Sequence, residues 1–267
     1  LSVRDALKQH REAIPSMKCL VVEDNASNRD IIGHLLTHAG HQIEFAPSGA
    51  SGLEAARSTL YDIIFLDLHM PGMSGWEVLD SLQQSDGAMG HAPIVILSAV
   101  TDTASIASAK SKGAAGYLRK PISPFLLLDT LERVGLKAQD ARSTAAEISV
   151  DEDDEASSPL SSMRALTTAP KVGHFLETCL KGIEQGMAGI ELTLERNDVA
   201  AALELLHALT NEFHNVALPA GAKACRELAS QLRSGEACAA SLNEVRLRAS
   251  EAISSIMREP EYPARRA

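Results

Sequence analysis

Cys19-Leu20-Val21-Val22-Glu23-Asp24 decides the fold of this chain: four apolar residues stop abruptly on two adjacent carboxylates. An unbroken apolar run of that length suits a strand buried on both faces. The pattern returns in Asp62-Ile63-Ile64-Phe65-Leu66, which ends on Asp67. Between Met17 and about Leu136, such runs at 19–22, 42–46, 62–66, 94–97 and 116–118 alternate with amphipathic stretches near 26–39, 49–59, 75–84, 103–112 and 123–135. Five short strands separated by helical patterns predict a parallel sheet covered on both faces, because parallel neighbours need crossover connections. Ligands of a doubly wound domain gather outside the carboxyl ends of its strands. Glu23, Asp24, Asp67, Ser98 and Lys120 all fall at or beside those ends.

Gathering Glu23, Asp24 and Asp67 needs a positive partner, since two carboxylates about 4 Å apart repel by roughly 4 kcal/mol at an effective dielectric near 20. Hard oxygen ligands favour Mg²⁺, which keeps several waters and takes one or two carboxylates together with a phosphate oxygen. Lys120 follows the fifth run and adds a fixed positive charge, and Ser98 ends the fourth and adds a hydroxyl. A carboxylate nucleophile, a divalent cation, a lysine and a hydroxyl form a set able to take a phosphoryl group onto Asp67.

Four motifs in order then resemble a two-component receiver domain over residues 18–136. They are Leu20-Val21-Val22-Glu23-Asp24-Asn25, Asp67-Leu68-His69-Met70-Pro71-Gly72-Met73-Ser74-Gly75, Leu97-Ser98-Ala99 and Leu118-Arg119-Lys120-Pro121. The resemblance implies a flavodoxin-like five-stranded sheet over 17–137, with Asp67 as phosphoacceptor and Mg²⁺ held by Glu23, Asp24, Asp67 and the backbone carbonyl of His69. It further implies that Lys120 pairs with the phosphoryl group, that Ser98 hydrogen-bonds it, that Tyr117 is the switch aromatic and that Lys120-Pro121 is cis. Aspartyl-nucleophile phosphohydrolases use related chemistry, but their loop carries a second aspartate where this chain has His69.

Beyond the first domain, Asp151-Glu152-Asp153-Asp154-Glu155 is a like-charge block among Ser, Ala, Thr and Pro. Such a segment buries too little apolar surface to offset its ordering entropy, so 138–170 is expected as a disordered acidic linker. Leucine and alanine then recur at helical spacing through 173–196, 198–217, 220–233 and 239–257, with Gly235 placed as a stop. This predicts an all-α four-helix bundle over 171–258 and a frayed tail over 259–267. Residues 1–14 carry a weak helical pattern ended by Pro15, within an N-terminal linker spanning 1–16.

In the second of these helices Ala202, Leu206, Leu209, Phe213 and Val216 form an apolar stripe. His207 lies about 100° away and is expected to share a partly exposed polar face with Thr210, Asn211 and His214. The segment resembles a histidine-phosphotransfer (Hpt) domain, with Glu195-Arg196-Asn197-Asp198 before the helix and His207-Ala208-Leu209 at the spacing of that family's active histidine. It is degenerate: the family continues with Lys-Gly, where this chain has Thr210-Asn211. Two functions are therefore open. In one, the chain takes a phosphoryl group from a donor histidine kinase or phosphotransfer protein onto Asp67 and relays it to His207 or switches a partner-binding face, with a downstream receiver or effector protein as partner, as in the C-terminal part of a hybrid sensor histidine kinase. In the other, it is a non-catalytic interaction module with a docking or dimerisation bundle.

Length and charge fit either reading. The chain has 267 residues, 45% of them hydrophobic, enough for two cores. A net charge of -10 opposes nonspecific binding to nucleic acid. Cys19, Cys179, Cys225 and Cys238 show no CxxC spacing, and no apolar stretch is long enough for a membrane span, so a cytoplasmic protein is expected. The chain opens on Leu1 rather than Met, as a fragment or an unusual start would, and it carries no ATP-binding kinase module.

Overall fold

The computed structural model describes residues 2–84, 92–99, 103–139, 159–235 and 239–262. They fall into two compact units, Leu1–Ala156 and Ser157–Ala267.

The first unit runs α1 (Val3–Ala13), β1 (Lys18–Val22), α2 (Ala26–His38), β2 (Gln42–Ala46), α3 (Gly49–Ser58), β3 (Ile63–Asp67), α4 (Gly75–Gln83), β4 (Ile94–Ser98), α5 (Thr103–Ser111), β5 (Gly116–Arg119) and α6 (Pro124–Gln139). The sheet order is β2-β1-β3-β4-β5 and every pairing is parallel, as the flavodoxin-like expectation requires. Every residue of β3 and β4 is buried, which explains why their sequences are continuous apolar runs. At the edge, β2 exposes Gln42, Glu44 and Phe45. Strands and helices meet through side-chain caps. Asn25, Ser48 and Ser74 each follow a strand end and accept a backbone N–H of the helix they open. Ser74 and Glu77 form a reciprocal capping box, fixing where the loop after β3 stops and α4 starts.

The segment 1–16 differs from the expected linker. Helix α1 is capped by Ser2, buries Leu7 and His10, and packs against α2 and α6. Its pattern is weak because these two residues, one turn apart, are all it buries.

The second unit contains α7 (Pro159–Leu166), α8 (Ala169–Glu195), α9 (Val199–Asn215), α10 (Pro219–Ser234) and α11 (Ala239–Ile256). Helix α8 packs against α9 and α11, α10 joins α9 to α11, and α7 rests on α8 and α9. Phe175 and Phe213 are fully buried at its centre. Gly235 ends α10 in the left-handed conformation, with φ 73°, as its position predicts.

The linker expectation also needs correction at both ends. Helix α6 reaches Gln139, and Pro159–Leu166 is helical rather than disordered. Leu160, Met163 and Leu166 recur every three residues and are buried, so α7 is held by packing despite its short length. The block Asp151–Glu155 lies outside the described residues. At the other end Arg164 of α7 pairs with Glu259 and Glu261, which ties down the first part of the expected frayed tail.

Candidate functional site

The site forms where β1, β3, β4 and β5 end. Glu23 and Asp24 follow β1, Asp67 is the last residue of β3, Ser98 the last of β4, and Lys120 follows β5. Parallel pairing brings these ends together: Leu66 is opposite Val22, Asp67 is opposite Leu97, and Ser98 is opposite Arg119. The Lys120 N–H donates to the Ser98 carbonyl at 2.8 Å, carrying the register one residue past β5. The Lys120-Pro121 bond is cis.

Side chains converge accordingly. Lys120 Nζ lies 2.7 Å from Asp67 Oδ2 and 2.7 Å from Glu23 Oε2, bridging two buried carboxylates. The fixed positive charge expected of Lys120 therefore sits between two of the acidic residues. Glu23, Asp24 and Asp67 each offer an oxygen within 4.8 Å of the others. Burial pushes the Glu23 carboxyl up to about 8, against the pull of Lys120, and the Asp67 charge adds to the rise. Burial also raises Asp24, again helped by Asp67. Burial alone would depress the Lys120 ammonium, yet Asp67 and Glu23 outweigh it and raise it, so the lysine stays charged. A cation placed among the three oxygens would favour their ionised forms. Hard carboxylate oxygens this close together suit Mg²⁺.

Local backbone sets the Asp67 loop. The His69 N–H donates to Asp67 Oδ1 at 3.1 Å, while the His69 side chain is exposed. The Gly75 N–H donates to the Leu68 carbonyl at 3.0 Å. Ser98 is fully buried, and Tyr117, in the middle of β5, is 4% exposed within the hydrophobic core.

Two residues escaped the sequence reading. Asn28 Nδ2 donates to Glu23 Oε1 at 2.8 Å, and Arg29 Nη1 donates to the carbonyls of Glu23 and Asp24 at 2.8 and 2.7 Å. Their place in the first turn of α2, just past the acidic pair, was the available signal. Removing the Asn28 amide strips a bond from a buried carboxyl. Asn28→Ala is expected to cost about 1–2 kcal/mol, read as a lower urea midpoint at constant slope. An unchanged midpoint would rule out that structural role for Asn28.

In the second unit, His207 is half-buried on α9, and Ala202, Leu206, Leu209, Phe213 and Val216 are buried as the stripe predicts. Thr210 and Asn211, expected on an exposed polar face with His207, are instead buried. The reason is that α9 packs against α8 and α10 on different sides, so residues 209–213 are all covered. Thr210 Oγ1 is turned inward and donates to the Leu206 carbonyl at 2.7 Å. His214 Nε2 lies 3.4 Å from Arg226 Nη1. Cys19 and Cys225 are buried free thiols whose burial pushes both up to about 12, and Cys179 is also buried. Cys238 lies outside the described residues.

A doubly wound α/β domain with three carboxylates and a lysine at the C-terminal edge of its sheet presents oxygen donors of the kind that suit a divalent cation. Residues 19–132 belong to the response regulator receiver domain family. The sensory/regulatory protein RpfC of Xanthomonas campestris is 31% identical over 226 residues, covering 82% of this chain and 31% of that protein. Sensor histidine kinase AruS of Pseudomonas aeruginosa is 27% identical over 209 residues, covering 78% of this chain and 20% of that protein. The chain thus spans less than a third of either relative. Chemotaxis protein CheY4 of Vibrio cholerae is 34% identical across 45% of this chain and 99% of its own, with a TM-score of 0.42. The receiver family places the chain in two-component signalling. No described helix is long and apolar enough to cross a membrane.

Proposed function

We propose that this chain is a phosphorelay module in which Asp67 accepts a phosphoryl group from a phosphohistidine donor. An Asp67 carboxylate oxygen attacks phosphorus, a P–O bond forms as the P–N bond breaks, and the donor imidazole nitrogen keeps the electron pair and takes up a proton. Mg²⁺, held by Glu23, Asp24, Asp67 and the His69 carbonyl, would supply charge neutralisation at the phosphoryl oxygens. Lys120 pairs with the phosphoryl group, Ser98 hydrogen-bonds it, and Tyr117 responds to the displaced hydroxyl residue. The observation that carries this reading is the Lys120 ammonium held 2.7 Å from Asp67, with Glu23 and Asp24 completing a cluster of hard oxygens. In the same reading 17–137 is the receiver, 138–170 contains the tether, and 171–258 is an Hpt-like four-helix bundle in which His207 is the phosphate recipient. The match to RpfC runs well beyond the 114 residues of the receiver segment, which supports reading both units as part of a longer signalling protein, taken here as the C-terminal part of a cytoplasmic hybrid sensor kinase.

The test is incorporation from a small labelled phosphodonor with Mg²⁺. Wild-type chain should take up label and Asp67→Asn should not; equal labelling of the two overturns the role of Asp67. A second reading has its own support: Thr210 and Asn211, which stand where the Hpt pattern has Lys-Gly, are buried, and this favours a docking bundle. If His207→Gln accepts phosphate from a phosphorylated receiver as well as wild type does, the docking reading stands and the relay to His207 falls.

A further inference from the structure

Outside the acidic site, a cluster of buried titratable groups lies where α1 meets the receiver. His10 of α1 is 2% exposed, and His41, between α2 and β2, is 6% exposed. Their Nε2 atoms are 3.0 Å apart, with the rings edge to face. His41 Nδ1 lies 3.2 Å from the Met17 backbone nitrogen, and His10 Nδ1 lies 3.2 Å from Glu132 Oε1 on α6.

Chemistry fixes every proton in this chain of contacts. A backbone N–H only donates, so His41 Nδ1 is the acceptor and its proton is on Nε2. That N–H must then donate to the lone pair of His10 Nε2. His10 consequently carries its own proton on Nδ1, where the Glu132 carboxylate accepts it. Two neutral imidazoles thus satisfy the whole line from Met17 to Glu132. One added proton breaks it. On His10 Nε2 it would set two N–H groups against each other; if His41 changed tautomer in response, the Met17 N–H would lose its acceptor.

We propose that α1 is a proton-sensitive latch, docked between α2 and α6 while His10 and His41 are both neutral and released when either takes up a proton. The latch joins the chain entering the receiver to the helix that leaves it, since α1 precedes β1 and α6 follows β5. It is independent of the chemistry assigned to Asp67.

The surrounding charges do not cancel the effect. Glu132, which faces His10, has a side chain that is 47% exposed and well solvated. Asp62, before β3, favours a proton on His41. Burial and the neighbouring His10 outweigh it and push His41 down to about 4. Arg11 lies beside Gly40, and Asp129 is paired with Arg133 on α6.

The sign follows from linkage. An undocked imidazole titrates near about 6.5, so the released state binds more protons below that pH. Docking is then complete above about 6.5 and weakens by up to about tenfold per pH unit as pH falls toward about 4.

The test is amide hydrogen exchange of α1 in the full chain between about pH 7.5 and 5, corrected for intrinsic exchange and read against the core amides of β1 and β3. The expected result is α1 protection that falls several-fold to tenfold per pH unit below about 6.5 while the strands stay protected, and a His10→Leu variant in which this slope is shallower, because buried His41 still titrates. The proposal is overturned by α1 protection that does not change with pH, by strands that lose protection in parallel, or by an unchanged slope in the variant. Ring-nitrogen NMR of the wild type gives a test that needs no variant. It should show the proton on Nε2 of His41 and on Nδ1 of His10 at neutral pH, and the opposite tautomers would overturn the latch.

Discussion

Replacing Lys120 with Met is expected to cost the receiver unit about 3–5 kcal/mol in metal-free buffer, the range for removing one partner of a buried ion pair. The ammonium is the one cation within 2.7 Å of both Asp67 and Glu23 among the described residues, and all three groups are buried. Without it, two carboxyls share a site with only the Asn28 amide and the His69 N–H to offset their repulsion, and proton uptake relieves only part of the cost. Methionine fills similar volume, so the loss reports charge rather than a cavity. The same variant carries a second expectation. Mg²⁺ should raise its melting temperature more than it raises that of wild type, because a cation at the three oxygens would replace the missing charge. Thermal unfolding with and without Mg²⁺ decides the matter. A variant as stable as wild type without metal would show that Lys120 does not hold the carboxylates together, and equal Mg²⁺ shifts would place the cation elsewhere.

Gly75→Ala is expected to be the most damaging small substitution at the site. A Cβ there would lie 2.0 Å from the Asp67 carbonyl oxygen and 2.7 Å from Leu68 Cα, and neither contact is with a flexible side chain. Relief requires the backbone after β3 to move, which breaks the hydrogen bond from Gly75 to Leu68 and shifts Asp67 itself. Overpacking of a side-chain core costs about 1–3 kcal/mol, and a backbone clash should sit at or above the top of that range. Phosphate incorporation should fall with stability, because the displaced group is the proposed acceptor. Gly72→Ala is the control on the same loop, since a Cβ there meets nothing within 4 Å, although its φ of 78° adds local strain. Urea denaturation that shows Gly75→Ala no worse than Gly72→Ala would contradict the close packing of Asp67 against α4.

The sheet and its acidic edge were legible in the sequence for one physical reason. Parallel strands buried on both faces must be continuous apolar runs, and the carboxylates, serine and lysine follow those runs directly in β1, β3, β4 and β5. Residues that act through tertiary contact were not legible. His10 and His41 are 31 positions apart and meet only once α1 docks. Arg29 was missed because it addresses backbone carbonyls, which leave no trace in side-chain pattern. Thr210 and Asn211 were misplaced because a single-stripe reading of α9 assumes one buried face. That helix packs between neighbours, and five consecutive residues, 209–213, are covered. Helix α7 was hidden by its closeness to the acidic block and by a length too short for periodicity to separate it from a linker.

Arg29 grips the acidic pair by its two carbonyl oxygens and leaves the carboxylates themselves untouched. The position of the turn after β1 is thereby decoupled from the charge it displays. Asp24, half-buried, could be exchanged for a neutral or a differently shaped side chain while the turn kept its course. Under the proposed function, ion preference and the lifetime of a phosphoryl group on Asp67 would then be set by side chains whose exchange leaves the turn in place. A receiver built this way can be retuned for a faster or slower signal by changes confined to side chains on a frame that does not move.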